Sequence, residues 1–254
     1  MIHGIYLSSH GANAQSIRQD VIANNLANAS TTGFKRDVAT FQMFKPEDFR
    51  KNIPNRMDGN RQREVGALAV DQISTDHTSG ALQKTGQQYD IGLSGDGFLR
   101  VSDGQQEYLT RNGQLHRSLD GELVTLDQGL KVLDTTGKPI QIPVTATGVS
   151  ISSDGSIAAT MADNQQIPLA RIDLVSAPTS QLRKLGNSLY ETQAKTTPVG
   201  LNVQVKQGFI EASGVSPIHE MTAMIETSRA FEANINMIRL QDESLGRLLQ
   251  TVGG

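Results

Sequence analysis

SPIHEMTAMIETSRAFEANINMIRLQDESLGRLLQTV, Ser216–Val252, holds no proline after Pro217 and repeats its apolar residues in sevens. Counting from Met221 gives Met221, Ser228, Ile235, Asp242 and Leu249; counting from Met224 gives Met224, Phe231, Ile238, Leu245 and Val252. Eight of these ten are apolar, which predicts a long helix carrying a coiled-coil-like seam, broken at Ser228 and Asp242. Ser216 is suited to cap the helix and Pro217 to occupy its first position. Arg239–Glu243 and Glu243–Arg247 are spaced as i,i+4 ion pairs on the outer face.

Upstream the texture changes. Residues 66–214 hold 17 of the 24 glycines and five of the eight prolines. Short β-prone runs alternate there with turn signals: Tyr89–Leu93, Phe98–Val101, Leu123–Leu126, Leu130–Leu133, Val149–Ser152 and Ile172–Val175. Asp96-Gly97, Asp103-Gly104, Asn112-Gly113, Asp120-Gly121 and Asp154-Gly155 read as hairpin pairs or tight turns. The spacing predicts a domain of many short strands without βαβ units.

Before it, residues 35–65 read as an irregular linker containing Pro46 and Pro54. Over 35–63 it carries eight basic residues (Lys35, Arg36, Lys45, Arg50, Lys51, Arg56, Arg61, Arg63) against four acidic ones, a local net charge of +4. A solvated linker is the plainer reading and a basic docking surface the second.

The first segment, Ile2 to about Asn28, predicts another helix, with Ile5, Ala12, Ile22, Ala23 and Leu26 at roughly helical spacing and Gly4 and Gly11 weakening it. Its only charged side chains up to Phe34 are Arg18 and Asp20. Small, uncharged polar residues all round suit close packing against several neighbours, since long charged side chains there would be buried unpaired. The helix is expected to stop at Ser30-Thr31-Thr32-Gly33. The organisation is therefore α+β, mainly β: residues 1–34 an assembly helix and turn, 35–65 a linker, 66–214 a central many-stranded β domain, and 215–254 a second assembly helix.

Composition narrows the function. Aromatic residues make up 4% of the 254, there is no Trp, and hydrophobic residues reach 37%, a short supply for one compact core and a sign of an extended shape or of surfaces completed by other subunits. The net charge of -3 gives no electrostatic case for nucleic acid. With no Cys, disulfides and thiolate chemistry are excluded. No stretch reaches membrane-spanning length and no secretory leader is evident, so departure from the cytoplasm would take a signal-less route.

Catalytic groups are hard to find. His3, His10, His77, His116 and His219 have no partners at metal-ligand spacing. In Gly92-Leu-Ser-Gly-Asp-Gly97, Ser94 is followed directly by Gly95, so it is no nucleophile elbow, and the third glycine of a dinucleotide loop is missing. No carboxylate pair suggests acid–base work or a glycan hydrolase. No catalytic residue, cofactor or metal ligand is expected.

Ala23-Asn-Asn-Leu-Ala-Asn-Ala-Ser-Thr-Thr-Gly-Phe-Lys35 resembles the N-terminal hallmark of the flagellar rod and hook protein family. Ile91-Gly-Leu-Ser-Gly-Asp-Gly-Phe98, Tyr108-Leu-Thr-Arg-Asn-Gly113 with Asp120-Gly-Glu-Leu-Val124, Gly208-Phe-Ile-Glu-Ala-Ser213 and Arg229-Ala-Phe-Glu-Ala-Asn234 are similar to its later blocks, so the resemblance covers essentially the whole chain. It departs at Ser213-Gly214-Val215, where the family usually reads Ser-Asn-Val, which moves the helix start to Ser216. The length resembles a rod subunit, proximal or distal, and is short for the hook subunit, the alternative within the class.

The resemblance implies a basal-body rod subunit that transmits torque from motor to hook. It implies export, largely unfolded, by the flagellar type III apparatus, and helical self-assembly with copies of itself and other axial proteins through the terminal helices. It implies that the first and last helices pair as a coiled-coil-like stalk; no membrane insertion is expected, since no stretch reaches membrane-spanning length. The interface residues expected on this basis are Ile5, Ala12, Ile22, Asn24, Asn25, Leu26, Asn28, Thr32, Gly33 and Phe34, with Met221, Met224, Ile225, Phe231, Ile235, Ile238, Leu245 and Leu249. A cell-wall-binding module is the rival from another class, with the basic 35–63 segment touching peptidoglycan.

Overall fold

The computed structural model describes residues 2–43, 68–200 and 203–252, which form two units. The first contains helix α1 (Ile2–Ala27), the strands Asp37–Met43 and Leu68–Thr75, and helix α2 (Pro217–Val252). The second contains residues 28–36 and 77–215.

In the first unit α1 and α2 run antiparallel. A Cβ added at Gly4 would lie 2.9 Å from the Gln241 side chain, and one at Gly11 2.8 Å from that of Asn234. The two glycines that weaken α1 as a helix thus admit long polar side chains from α2. The face of α2 turned inward is Met224, Phe231, Ile238 and Leu245, together with Glu220, Thr227, Asn234 and Gln241. The first row is the one expected from the sevens. The second was not expected; of the row counted from Met221, Ser228 and Ile235 are half-buried, whereas Met221 is 51% exposed and Asp242 is exposed. The inward polar side chains are partly satisfied on their own helix, Thr227 Oγ1 donating to Ala223 O (2.7 Å) and Asn234 Nδ2 to Ala230 O (2.9 Å). An inward row can therefore be polar where the facing helix is small.

Asp37–Met43, expected to be irregular, is a strand paired antiparallel with Leu68–Thr75, with Asp37 opposite Thr75. Val38, Thr40 and Phe41 suit a pleated surface, a local signal outweighed by the basic residues and prolines that follow. Lys45, Arg50, Lys51, Arg56, Arg61 and Arg63 of the basic segment lie outside the described residues.

Asn25, 1% exposed, fixes where this strand starts: its Nδ2 donates to Asp37 O (2.8 Å) and its Oδ1 accepts from Asp37 N–H (2.9 Å), so a side-chain amide acts as a strand partner. Asn25→Ala leaves both main-chain groups of Asp37 without these partners and is expected to cost about 1–3 kcal/mol. Urea unfolding followed by far-UV circular dichroism checks it, and a loss below about 0.5 kcal/mol would mean the pairing contributes nothing net.

The second unit is built on a large antiparallel sheet. Leu182–Gly186, Leu189–Thr192, Glu107–Thr110, Phe98–Ser102, Lys131–Val132, Leu123–Thr125 and Leu115–Arg117 lie side by side in that order. A meander of Gly148–Ile151, Ser156–Thr160 and Gln166–Arg171 supplies a second layer. Leu99, Val101, Leu123, Val132, Ile140, Ile142, Ile151, Ile157 and Ile172 close a common core.

Three of the five expected turn pairs put glycine in the left-handed region: Gly104, Gly121 and Gly155, at φ +94, +84 and +85. Asn112-Gly113 is not a hairpin turn. The strands before and after it pair with different partners, and Gly113 instead lets two backbone segments meet, its carbonyl accepting from Ile91 N–H at 2.9 Å.

Candidate functional site

Helix α1 ends in a residue run that belongs to the β unit. Asn28 O accepts from Thr31 N–H (3.1 Å) and Ser213 Oγ (3.0 Å). Gly33, at φ +66, donates its N–H to Glu211 O (2.8 Å), and Phe34 O accepts from Gly214 N–H (2.9 Å). A Cβ on Gly33 would sit 2.6 Å from the Arg111 carbonyl, so the run needs glycine both for its dihedral and for its clearance. Lys184 Nζ lies 3.7 Å from the centre of the Phe34 ring and donates to Lys35 O (2.8 Å). Ser188 Oγ donates to Thr32 O.

The run delivers Lys35 to a buried ionic cluster. Lys35 Nζ lies 2.5 Å from Glu211 Oε1, and both side chains are 1% exposed. The ammonium also donates to Thr78 O (2.8 Å). Glu211 Oε1 accepts from Gly80 N–H (2.7 Å), and Oε2 pairs with Arg111 Nη1 (3.2 Å). Arg111 donates through Nη2 to Gly95 O (2.9 Å) and lies 5.2 Å from the Phe98 ring centre. Burial pulls the Arg111 guanidinium below its ordinary value, and the Glu211 charge opposes that shift. One carboxylate thus serves two cations and a main-chain N–H, the arrangement in which buried charge is tolerable. Gly80 has to be glycine to come this close, since a Cβ there would be 2.3 Å from Ala212 O.

Lys35 is accordingly not part of a solvated basic linker, because its charge is used inside the protein. Four of the five blocks that mark the chain as family-like contribute to this cluster: Lys35 from the first, Gly95 and Phe98 from the second, Arg111 from the third and Glu211 from the fourth. A charge standing alone in a small or apolar block was the available signal: two cations, Lys35 and Arg111, and a carboxylate of opposite sign, Glu211.

The expected interface residues fall into groups. Ala12, Ile22 and Asn25 are buried within the first unit, and Thr32, Gly33 and Phe34 within the second. Ile5, Leu26, Asn28, Met224, Phe231, Ile235, Ile238 and Leu245 are half-buried. Asn24, Met221 and Ile225 are exposed. The Leu249 side chain lies outside the described residues. Among the described residues, no group of three or more His, Cys, Asp or Glu is placed to hold a metal, and no helix is long and apolar enough to cross a membrane.

Comparison with known proteins follows the same blocks. Three family models match: "Flagella basal body rod protein" over residues 5–35, "Flagellar hook protein FlgE/F/G D1 domain" over 92–159, and "Flagellar basal body rod FlgEFG protein C-terminal" over 206–251. Lys35, Arg111 and Glu211 fall one in each. The flagellar basal-body rod protein FlgG of Buchnera aphidicola (subsp. Acyrthosiphon pisum, strain APS) is 34% identical over 268 residues, covering 98% of this chain and 100% of the relative. FlgG of Bacillus subtilis (strain 168) is 31% identical, with 98% of each chain covered. FlgF of Escherichia coli (strain K12) is 31% identical, again with 98% of each covered. With the same buried charges tying its three matched blocks together and relatives aligned from end to end, the chain belongs to the family of flagellar basal-body rod proteins, structural subunits of the flagellar basal body.

Proposed function

We propose that the chain builds the rod by self-assembly through its terminal helices, α1 and α2 pairing as a coiled-coil-like stalk, and that it serves there as a structural element in torque transmission without catalytic activity. Its partners are further copies of itself and the other axial proteins, which it joins after passage through the flagellar export apparatus. The observation that carries this reading is the outer surface of α2. Ile218, Met221 and Ile225 are 79%, 51% and 55% exposed on a helix whose opposite face is already occupied by α1. Large apolar side chains grouped this way on a rod-family subunit mark a contact surface. Ala12, Ile22 and Asn25, buried within the first unit, support assembly indirectly, by fixing helix α1, which presents Asn24.

Met221→Asp with Ile225→Asp is expected to abolish incorporation into basal bodies and raise the concentration needed for self-association at least tenfold. The far-UV circular dichroism spectrum and urea midpoint should stay as in the parent chain. Normal motility and normal incorporation of the double variant would remove α2 from the assembly surface.

A further inference from the structure

The first unit exposes large apolar residues at a second level as well. Met237 and Leu240 of α2 are 50% and 60% exposed. Because Gly4 faces Gln241 and Gly11 faces Asn234, the exposed Tyr6 and Leu7 of α1 lie at that same level. Between this distal zone and the proximal zone of Ile218, Met221 and Ile225, the outer surface of α2 carries Glu226, Arg229, Glu232 and Asn236, all exposed. At 1.5 Å per residue the zones are about 25 Å apart along α2, and at 3.6 residues per turn they point about 100° apart around it.

We infer that the distal zone of one copy docks on the proximal zone of a second copy, displaced by about 25 Å along the helix axis. This goes beyond the self-assembly proposed above, on which it rests, by naming the two unlike surfaces that meet and their offset. The divergence in direction excludes a single straight neighbour covering both zones of one molecule. A copy placed level with the first would also set one charged belt against another. A copy shifted by the zone separation instead buries apolar surface on apolar surface. Such a contact joins unlike patches, leaves one of each free, and so propagates instead of closing.

Its size fits a weak, repeated contact. The seven side chains, most of them about half exposed, offer on the order of 600 Å², below the roughly 1,200–2,000 Å² of a stable pairwise complex. One contact alone holds poorly, and a copy touching neighbours through both zones holds well.

The absence of cysteine allows a direct test in the full chain. Ile225→Cys and Leu240→Cys are made singly and together, oxidised, and resolved on denaturing gels beside Glu232→Cys as a belt control. A disulfide-linked dimer is expected from the mixture of the two single variants and not from either alone, and a ladder of oligomers from the double variant, with Glu232→Cys linking to neither. Dimers formed by each single variant with itself would mean like zones meet, which overturns the proposal. So would a parent chain that self-associates, by sedimentation, while no 225–240 link forms. A parent chain that stays monomeric at every concentration would overturn the self-assembly reading as well.

Discussion

Glu211→Ala is expected to destabilise the β unit by about 3–5 kcal/mol, the range for breaking a buried ion pair by removing one partner. The alanine leaves Lys35 and Arg111, 1% and 2% exposed at their side chains, facing each other without the carboxylate. It also leaves Gly80 N–H without its 2.7 Å acceptor. Lys35 directly follows the run that carries Gly33 and Phe34, which is fixed to Glu211 O and Gly214 N–H and so holds the ammonium in place. Lys35→Met should cost less, because Glu211 keeps Arg111 and Gly80, and Glu211→Gln should fall between, retaining hydrogen bonding but losing the charge. Three of the four tyrosines, Tyr89, Tyr108 and Tyr190, lie in this unit, so urea unfolding by tyrosine fluorescence follows it. A loss under about 1 kcal/mol for Glu211→Ala would show that the carboxylate is not what makes the buried cations tolerable.

That cluster shows what could be read from the sequence and what could not. The helices at both ends were legible because their signals are local: Pro217 opens α2, and Met224, Phe231, Ile238 and Leu245 repeat at seven. The polar inward row, Glu220, Thr227, Asn234 and Gln241, was not legible because which row turns inward depends on the partner. Gly4 and Gly11 make room for Gln241 and Asn234, and nothing within α2 encodes that. The strand Asp37–Met43 was obscured for a related reason, since its pairing residues, Leu68–Thr75, lie beyond a long proline-containing basic stretch. The blocks carrying Lys35, Arg111 and Glu211 were recognisable one by one. Their convergence was not, because contacts separated by 100 and 176 residues leave no periodic trace. The exposed zones on α2 were half-legible: Met221 and Ile225 stood out as apolar interface candidates, but the count of sevens puts Met221 in the seam, while the side chain is 51% exposed.

The Asn112-Gly113 pair carries the other large effect, and Gly113→Ala is expected to cost about 4 kcal/mol or more, in the range reserved for severe steric or burial defects. A Cβ on residue 113 would lie 1.8 Å from Ile91 O and 2.9 Å from Ile91 C. These are main-chain atoms of a residue that is itself 1% exposed, in a strand paired along its length with Gln204–Gln207. No rotamer change relieves the overlap. The chain must either separate the two backbones, losing the 2.9 Å hydrogen bond from Ile91 N–H to Gly113 O, or shift Ile91 and Leu93 out of the core. Two other glycines distinguish this cause from the general effect of adding a methyl group. Gly129 has φ +66 with nothing within 4 Å among the described residues, so alanine there should cost only the left-handed penalty of about 1–2 kcal/mol. Gly148 has an ordinary φ and its nearest neighbour, Thr160 Cβ, at 3.8 Å, so alanine there should be close to neutral. Urea midpoints of the three variants should therefore separate in the order 148, 129, 113. A Gly113→Ala protein no less stable than Gly129→Ala would mean that the two backbones do not meet as closely as the fold of this unit requires.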